Sequence, residues 1–581
     1  MTPHERDLLN QIDVNIPWEL VSKFSTMKRC LPEEVDKAAD VIIKKLLDFG
    51  LPVKIFEPEI YLSIPLDASV VVDKLIFKAK PPSMSLSVPN GVHGEIVYLR
   101  ANQNNLRKYT QNPSEVFVEK NLNLKERLCN KILLTEGFGN PALTSLVQES
   151  GARGLVVINP GQDIHWGTCT TIWGTPGLND LKKKPKIPVV AVNKQSGEKL
   201  INIAHDGLMV SIKTDLLEGW FKQKIPVVQI DGNQEPHHFI LLHGHYDSWD
   251  VGVGDNATGD ALMLEVARIL HGNRDCLRRS VRIAWWPGHS TGRYAGSAWY
   301  ADNHAKDIDE NCVASVNCDS PGCRWATSYH KTTCMAEMKT HVKNVIQEIT
   351  GQVPKWIRPK RAGDHSFYNI GLSTYFSLSS TMPDDLRKEK KYYEVSGCGG
   401  NIAWHTEKDT IDIADYDVLK TDIEIYLLAI WRHASAQILP TDWRDTLKEF
   451  SETINKYNTD KTFFDLSEAV RSTEDLVLEM DQFYKAIREK KISIVEANNV
   501  IIKVARYLIP INFTRSQRFD QDPAFICPKL PGLQPNMEIE FLPKSFQGFV
   551  QTELTRGQNR YVAALSETKK LFKKYKDDQT H

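Results

Sequence analysis

The sequence has no long apolar run. No stretch of about 18 consecutive apolar residues, the length that a membrane-spanning helix needs, occurs in its 581 residues. The start of the chain, MTPHERDLLNQIDVNIPWEL, is charged and lacks the apolar core of a secretion signal. These two absences predict a cytoplasmic protein with no membrane partner.

An excess of charge is absent, and cysteine is sparse. Because 72 Lys and Arg residues balance 73 Asp and Glu residues, with no basic stripe among aromatic residues, we expect no nucleic-acid partner. Ten cysteines are too dilute for a disulfide framework. Cys318 and Cys323 in NCDSPGC have no second pair with which to form a zinc knuckle, so most cysteines are expected to be buried apolar fillers.

The composition is that of a soluble globular protein, with 41% hydrophobic and 25% charged residues. At about 150 residues per domain, the length predicts three or four structural units. Residues 18–50 have the apolar spacing of an opening helix, and LPVKIFEPEIYLSI at 51–64 alternates like a strand. We therefore expect a helix over residues 18–50, followed by a strand over residues 51–64.

From about residue 75 to 220, short strands alternate with Pro, Gly and Asn. The segments NKILLTEG, GARGLVVINP and KIPVVAVNKQSGEKLINI follow one another, the second after the helix-like SLVQES. This pattern resembles a protease-associated domain, a small β-rich module inserted into larger proteins. We therefore expect residues 75–220 to form an inserted domain.

Residues 226–435 alternate between strand and helix patterns. HHFILLHG, SVRIAWW and CVASVNCD read as strands, while DALMLEVARIL and SAWYADNHAKDI read as helices. This alternation predicts an α/β fold, a mainly parallel mixed sheet with helices on both faces. Functional residues of such folds gather at the carboxyl ends of the strands.

After residue 436 the sequence is charged and helix-periodic, which predicts a helical domain over 436–581. Its final basic stretch, KKLFKKYKDDQTH, is interpreted as a solvated helix end. The predicted organisation is a catalytic domain over 1–74 and 221–435, an inserted domain over 75–220, and this helical domain.

The segment HGHYDSWDVGVGDNATG follows an apolar strand and carries His245, Asp247 and Asp255. Imidazole and carboxylate are ligands that zinc prefers, and Asp247 can orient His245 from behind. Asn256 or Thr258 can cap the helix that follows. The alternative interpretation is that these are ordinary solvated loop residues at a strand end.

Two further strand ends weaken that alternative. SVNCDSPG places Asp319 after an apolar strand, and NIAWHTEKDT offers His405. Because the carboxyl ends of parallel strands lie at one edge of a sheet, these residues can converge with His245 and Asp255. The sequence therefore indicates a two-metal cluster in which Asp255 bridges the ions.

With these motifs the chain resembles the co-catalytic zinc exopeptidases, a group that includes leucyl aminopeptidases, glutamate carboxypeptidase and the non-enzymatic transferrin receptor. The resemblance rests on HGHYDSWDVGVGDNATG, WWPGHSTGRYAGS, NCD, AGDHSFYNIGLSTYF and AWHTEKDT. It implies one metal on His245, Asp255 and Asp319, and a second on Asp255 and His405. It also implies one or two divalent ions, zinc before other metals, and water attack on an amide or peptide bond.

The chain departs from that group at His289 and Ser290, where members carry two glutamates, one a general base and one a metal ligand. His289 can act as the base or as a ligand, whereas a neutral Ser290 is a poor zinc ligand. Three interpretations stay open. The first is a two-metal hydrolase, the second a single-metal enzyme acting on a non-peptide substrate, and the third an inactive binding protein related to the transferrin receptor.

Residues near these motifs are candidates for substrate contact. Arg293, Tyr294 and Arg361 can face a peptide-like or small carboxylate-bearing substrate, or they can be packed structural residues. His365 can donate to a developing oxyanion, or it can pair with Asp364 within the loop. Trp249 can form an apolar wall. The helical tail resembles a dimerisation domain, which implies a homodimer.

Overall fold

The computed structural model describes residues 1–106, 111–458 and 463–572. Its strands are β1 Val53–Phe56, β2 Glu59–Val72, β3 Leu75–Ala79, β4 Val88–Tyr98, β5 Ile132–Glu136, β6 Gly154–Ile158, β7 Val189–Val192, β8 Met209–Lys222, β9 Ile225–Ile230, β10 Glu235–His245, β11 Arg279–Trp286, β12 Cys312–Asn317 and β13 Ser373–Tyr375. They form two sheets, one of six strands and one of seven.

The helices in these residues are α1 Pro3–Leu9, α2 Asn15–Phe24, α3 Pro32–Asp48, α4 Pro113–Val116, α5 Leu124–Leu128, α6 Pro141–Glu149, α7 Lys194–His205, α8 Thr258–Gly272, α9 Ala295–Asn303, α10 Ala305–Asn311, α11 Lys339–Thr350, α12 Asp384–Glu389, α13 Tyr416–Ser435, α14 Trp443–Tyr457, α15 Ser467–Arg488, α16 Ile494–Phe513 and α17 Lys544–Lys570. None of the helices described is both long and apolar enough to cross a membrane.

The six-stranded sheet has the order β1, β9, β11, β10, β12, β13. The strands from β11 to β13 run parallel, whereas β9 is antiparallel to β11 and β1 is antiparallel to β9. Alternate residues of β10 enter different cores: Ile240 and Leu242 join the larger one, Phe239 and Leu241 the smaller. This arrangement agrees with the predicted α/β class.

Helices cover both faces of this sheet. The larger core includes residues of α2, α3, α8, α11 and α13, and the smaller core includes residues of α9 and α10. The predicted opening helix over 18–50 is two helices, because the chain turns at Arg29, whose buried guanidinium donates to the carbonyls of Tyr246, Val251 and Gly252. Pro32 then begins α3.

The seven-stranded sheet has the order β3, β2, β8, β4, β5, β6, β7, and it includes the strands of the segment that was predicted to be an inserted domain. Strand β2 pairs with β8 along most of its length. The expected boundaries at 74/75 and 220/221 therefore differ from the structure, since the sheet of this module begins at Glu59 and ends at Lys222. The predicted strand over 51–64 is likewise divided between β1 of one sheet and β2 of the other.

The end of the described chain is helical, as the periodicity predicts. Helices α14 to α17 surround a separate apolar core that includes Trp443, Phe450 and Leu508. The predicted solvated helix end at 569–581 lies outside the described residues from position 573 onward. All ten cysteines are unpaired and six are buried, in agreement with their predicted use as apolar fillers.

Candidate metal centre

The proposed ligands come together where the parallel strands end. His245 is the last residue of β10, and Asp319 follows the end of β12 by two positions. The two strands are hydrogen-bonded neighbours, with His243 opposite Asn317. Adjacent parallel strands present their carboxyl ends at one sheet edge, which brings two distant segments of the sequence into one site.

His245, Asp255 and Asp319 form a compact group. Nε2 of His245 lies 3.0 Å from Oδ1 of Asp255 and 4.0 Å from Oδ2 of Asp319. Two ligand atoms on one tetrahedral zinc ion are about 3.3 Å apart, given bonds of about 2.0–2.2 Å. The spacing of these three side chains therefore fits a divalent cation.

The second oxygen of Asp255 faces another imidazole. Oδ2 of Asp255 lies 3.1 Å from Nε2 of His405. Nδ1 of His405 donates to the carbonyl of Trp166 at 3.0 Å, so the proton is on Nδ1 and the lone pair on Nε2 points towards the carboxylate. Asp255 thus stands between two imidazoles, as expected of a bridging ligand.

The electrostatics of the group also fit a cation. Burial opposes charge on His245, but the carboxylates of Asp247, Asp255 and Asp319 raise its pKa well above the usual value. Burial and the neighbouring Asp255 raise the pKa of Asp319 to about 6. Nε2 of His245 is buried and faces both carboxylates, at 3.0 Å from Asp255 and 4.0 Å from Asp319. Positive charge at this point, from a proton or a metal ion, relieves the repulsion.

Asp247 contacts both His245 and the turn that carries His289. Nδ1 of His245 donates to the backbone carbonyl of Asp247 at 3.0 Å, while the Asp247 carboxylate lies 3.6 Å away. That carboxylate accepts the backbone N–H groups of His289 at 3.1 Å and Ser290 at 3.2 Å. Asp247 therefore ties the turn after β11 to the end of β10.

His289 lies beside the ligands and is oriented by a carboxylate. Its Nδ1 is 2.7 Å from Oδ2 of Asp364, and its ring stacks on that of His245 with centroids 3.7 Å apart and planes at 21°. Burial raises the pKa of Asp364, but His289 lowers it by a larger amount. The net result is a pKa of about 2. An ionised Asp364 only accepts, so Nδ1 of His289 donates to it.

The stacking separates the roles of His245 and His289. One ligand atom from each of His245, His289 and Asp319 lies within 4.8 Å of the others, which is within reach of one ion. Imidazole lone pairs lie in the ring plane, however, and stacked rings direct them side by side rather than towards one point. The geometry therefore favours His245 over His289 as the ligand of an ion at this point.

Asp364 belongs to a chain of buried hydrogen bonds. Its Oδ1 accepts from Oγ of Ser297 at 2.7 Å, Ser297 contacts Oγ of Ser366 at 2.9 Å, and the indole N–H of Trp173 donates to Ser366 at 2.9 Å. From the sequence, Asp364 is expected only as a partner of His365 within the loop. Its position in the motif AGDHSFYNIG is the sequence feature that could have identified Asp364 as a functional residue.

Two other residues missed as functional candidates hold the ligand loops. Asn256 donates to the carbonyls of His245 at 3.1 Å and Cys318 at 2.9 Å and accepts the N–H of Ser320 at 2.9 Å, so it is not the expected helix cap. Asp409 accepts the N–H groups of Gly254 and Asp255. Burial, together with Asp255, raises the pKa of Asp409 to about 7.

The expected oxyanion donor, His365, is buried next to Tyr368, with ring centroids 5.2 Å apart. Neither of its ring nitrogens has a hydrogen-bond partner in the described part of the chain. Burial lowers its pKa to about 3, so the ring is neutral. A role at an oxyanion stays a prediction.

Arg361 is used structurally. Its buried guanidinium donates to the carbonyls of His365 at 3.1 Å and Asp522 at 2.8 Å, and it lies 3.7 Å above the ring of Trp173. These contacts join the loop that carries Asp364 to the segment after α16. They favour the packed-residue interpretation over substrate binding.

Arg293 is also buried, with its guanidinium 4.8 Å from the centroid of the Tyr294 ring. Tyr294 packs edge-on against His289 at 4.7 Å, and its hydroxyl accepts the N–H of Gly363 at 2.7 Å. Trp249 meets the His405 ring edge at 5.6 Å. The structure thus places Tyr294 and Trp249 at the site as supports of its histidines, and substrate contact by these residues stays a prediction.

Part of this chain is similar in sequence to known proteins. Residues 227–429 match Peptidase family M28. A probable glutamate carboxypeptidase VP8 of Zea mays is 32% identical over 93 residues, which are 16% of this chain and 13% of that protein. Carboxypeptidase Q of Bos taurus is 25% identical over 231 residues, 38% of this chain and 47% of that protein. The chain thus spans less than half the length of these two relatives.

The fold is similar to that of BSAP, a zinc aminopeptidase from Bacillus subtilis, with a TM-score of 0.53 at 16% sequence identity. That comparison covers 72% of this chain and 95% of the other. It confirms the mixed α/β class, and the family match confirms the resemblance to the zinc exopeptidase group. Over residues 227–429, this chain is similar to peptidase family M28.

Proposed function

We propose that this protein is a metal-dependent hydrolase that cleaves an amide or peptide bond, as an aminopeptidase or a carboxypeptidase. The observation that carries the proposal is the group His245, Asp255 and Asp319, in which Nε2 of the imidazole lies 3.0 Å from one carboxylate and 4.0 Å from the other. One imidazole nitrogen and two carboxylates at this spacing are a donor set that suits a zinc ion.

Zinc is the metal that we propose, since mixed imidazole and carboxylate ligands suit it and BSAP is described as a zinc aminopeptidase. His245, Asp255 and Asp319 would hold the principal ion. His405 and the second oxygen of Asp255 offer two further donors. When bound, zinc supplies Lewis acidity to the reaction.

The protein's own contribution centres on His289. Nε2 of His289 accepts the proton of the attacking water, and the ionised Asp364 stabilises the imidazolium that results. Asp247 keeps the backbone of the turn in place through its bonds to the N–H groups of His289 and Ser290. Tyr294 packs against the edge of the same ring and limits its movement.

The donor count favours one tightly held ion. One oxygen of Asp255 forms a group of three donors with His245 and Asp319, whereas only His405 faces its other oxygen in the described part of the chain. Ser290 replaces a carboxylate of the group at the second position, and a neutral hydroxyl binds zinc weakly. This asymmetry supports the single-metal alternative. A non-peptide amide substrate and a non-catalytic binding role are the rival functions.

We further propose that residues 59–222 form a protease-associated-like module, that the protein is cytoplasmic, and that it forms a homodimer through its helical region. Phe541, Phe546 and Phe549 support the dimer, because they are largely exposed at the start of that region's last helix. Light scattering at several concentrations tests it. A monomer at every concentration contradicts the dimer.

The principal experiment combines metal analysis with a hydrolysis screen. We expect the purified chain to carry at least one zinc ion, to lose it in His245→Ala, and to retain it in the matched control His330→Ala, whose side chain is exposed. Aminoacyl, carboxyl-terminal and N-acyl amide substrates are then tested with and without a chelator. Metal content near zero in the native chain would favour a binding protein instead.

A further inference from the structure

One segment of the inserted module, residues 164–168, lies directly against the loop that carries His405. The N–H of Trp166 donates to the His405 carbonyl at 2.9 Å, and Nδ1 of His405 donates to the Trp166 carbonyl at 3.0 Å. The two residues are 239 positions apart in sequence. Together these two bonds fix both the backbone and the ring of His405.

The flanking residues continue this contact on both sides. The ring nitrogens of His165 lie 2.7 Å from the carbonyl of Trp404 and 2.7 Å from the hydroxyl of Tyr393. On the other side, the hydroxyl of Thr168 donates to the Ser290 carbonyl at 3.1 Å. Residues 164–168 therefore touch the loop of His405 and the turn of His289.

Lys80, which follows β3, holds this segment to the catalytic domain. Its ammonium group donates to the Ile164 carbonyl at 2.7 Å, pairs with Glu407 at 2.7 Å, and lies 3.3 Å above the ring of Trp166. Glu407 is two residues beyond His405. Since the Lys80 side chain is only 7% exposed, water competes weakly for these interactions.

We infer that Lys80 is a positioning residue for His405, acting through Trp166 and Glu407. By clamping residues 164–168 to the loop at 405–407, it keeps the Trp166 carbonyl in place as the acceptor for Nδ1. That acceptor determines which nitrogen of His405 carries the proton and directs Nε2 at Asp255. The inference depends on the proposed function only in naming His405 a zinc ligand.

The test compares Lys80→Met, which removes the cation, with Lys80→Arg, which retains it. Lys184→Met is the matched control, because Lys184 also lies in the inserted module, pairs with Glu218, and lies 5.7 Å from the centroid of the Tyr61 ring. The first measurement is the side-chain ¹⁵N spectrum of histidine in metal-free protein, with His405→Gln identifying the signal. The second is a titration with Zn²⁺ alone.

In the native chain we expect the His405 signals of the Nδ1–H tautomer. In Lys80→Met we expect them to move to a position averaged between the Nδ1–H and Nε2–H tautomers. The Zn²⁺ affinity that depends on His405 should fall about tenfold, as is typical when the partner of a ligating histidine is lost. Lys80→Arg should restore both, and Lys184→Met should change neither. Unaltered His405 signals in Lys80→Met would overturn the inference, as would failure of Lys80→Arg to restore them.

These readouts separate the inference from the proposed function. If the native chain binds no Zn²⁺, the proposed function fails, while the metal-free spectrum still decides the role of Lys80. Equal loss of affinity at the His245 group and at His405 would also count against the inference, because it would indicate general disruption rather than positioning of one residue.

Discussion

His289 and Asp364 form a buried imidazole–carboxylate pair, with Nδ1 of the histidine 2.7 Å from Oδ2 of the aspartate. The two residues are 75 positions apart, on the turn after β11 and the loop before β13. In this contact Nδ1 of His289 donates its proton and the Asp364 carboxylate accepts it. The histidine that stands where the group carries a glutamate is therefore oriented by a partner, as expected of a proton acceptor.

Asp364→Asn should lower turnover without removing the metal. The amide has a similar shape but carries no charge, so it no longer stabilises the protonated His289. Loss of such an orienting carboxylate typically costs about 10- to 100-fold in activity or affinity. Steady-state kinetics and metal analysis on the same preparation test this. The control Ser297→Ala removes the hydrogen bond that Ser297 donates to Asp364 but keeps the Asp364 carboxylate. A fall in metal content for Asp364→Asn would contradict the prediction.

His289→Ala should reduce kcat by about 10²- to 10⁴-fold, the usual contribution of a general base. Metal content should equal that of the native chain, because the stacked rings of His289 and His245 do not direct their lone pairs at one position. Elemental analysis beside kcat and KM values tests both statements. Loss of one equivalent of metal would make His289 a ligand instead of a base.

Asp319→Asn should weaken metal binding more than His405→Gln does. Asp319 is one of three donors around the principal site, whereas His405 is one of two at the other. Titration calorimetry with Zn²⁺ on metal-free protein gives the two affinities. If His405→Gln has the larger effect, the principal ion lies on the other side of Asp255.

Asn256→Ala should lower the free energy of unfolding by about 2–4 kcal/mol, because three buried backbone groups lose their partner. Gly259 makes room for this side chain, since a Cβ there would lie 2.2 Å from Oδ1 of Asn256. Calorimetric melting of metal-free protein measures the effect. Asn303→Ala, at an exposed position, is the control, and equal melting of both variants would refute the proposed support role.

The pair Glu5–Arg432 should make stability depend on pH at the acidic end. A 2.7 Å hydrogen bond from Arg432, which outweighs burial, lowers the pKa of Glu5 from 4.5 to about 2. A depressed carboxyl pKa adds stability above pH 4.5, and this contribution is lost as the pH falls from there through 2.

Glu5→Gln should therefore unfold about 1–2 kcal/mol more easily than the native chain at pH 7, since the pair links α1 to α13 at a partly buried position. Denaturant unfolding of both chains from pH 7 to pH 2.5 tests this. The difference should shrink as the pH falls, and a difference that grows towards low pH would show that the sign is wrong.

The local pattern of the sequence was sufficient to predict individual strands and helices and the residue types that can bind a metal. The apolar runs in HHFILLHG and SVRIAWW predict β10 and β11, and the helical spacing of DALMLEVARIL predicts α8. Periodicity could not show that 18–50 is two helices, because the turn at Arg29 is stabilised by carbonyls more than 200 residues away. Strand β2 was placed in the wrong unit for a similar reason, since its partner β8 is remote in sequence.

By itself, then, the sequence determined that His245, Asp255, Asp319 and His405 follow strand ends or loops of one α/β domain and that His289 is substituted. Only the tertiary structure decided what each of them touches: Asp364 for His289, the Asp247 backbone for His245, and Trp166 of the inserted module for His405. The physical reason is that periodicity reports which face of an element is buried, whereas a hydrogen-bond partner is selected by how separate segments pack against each other in space.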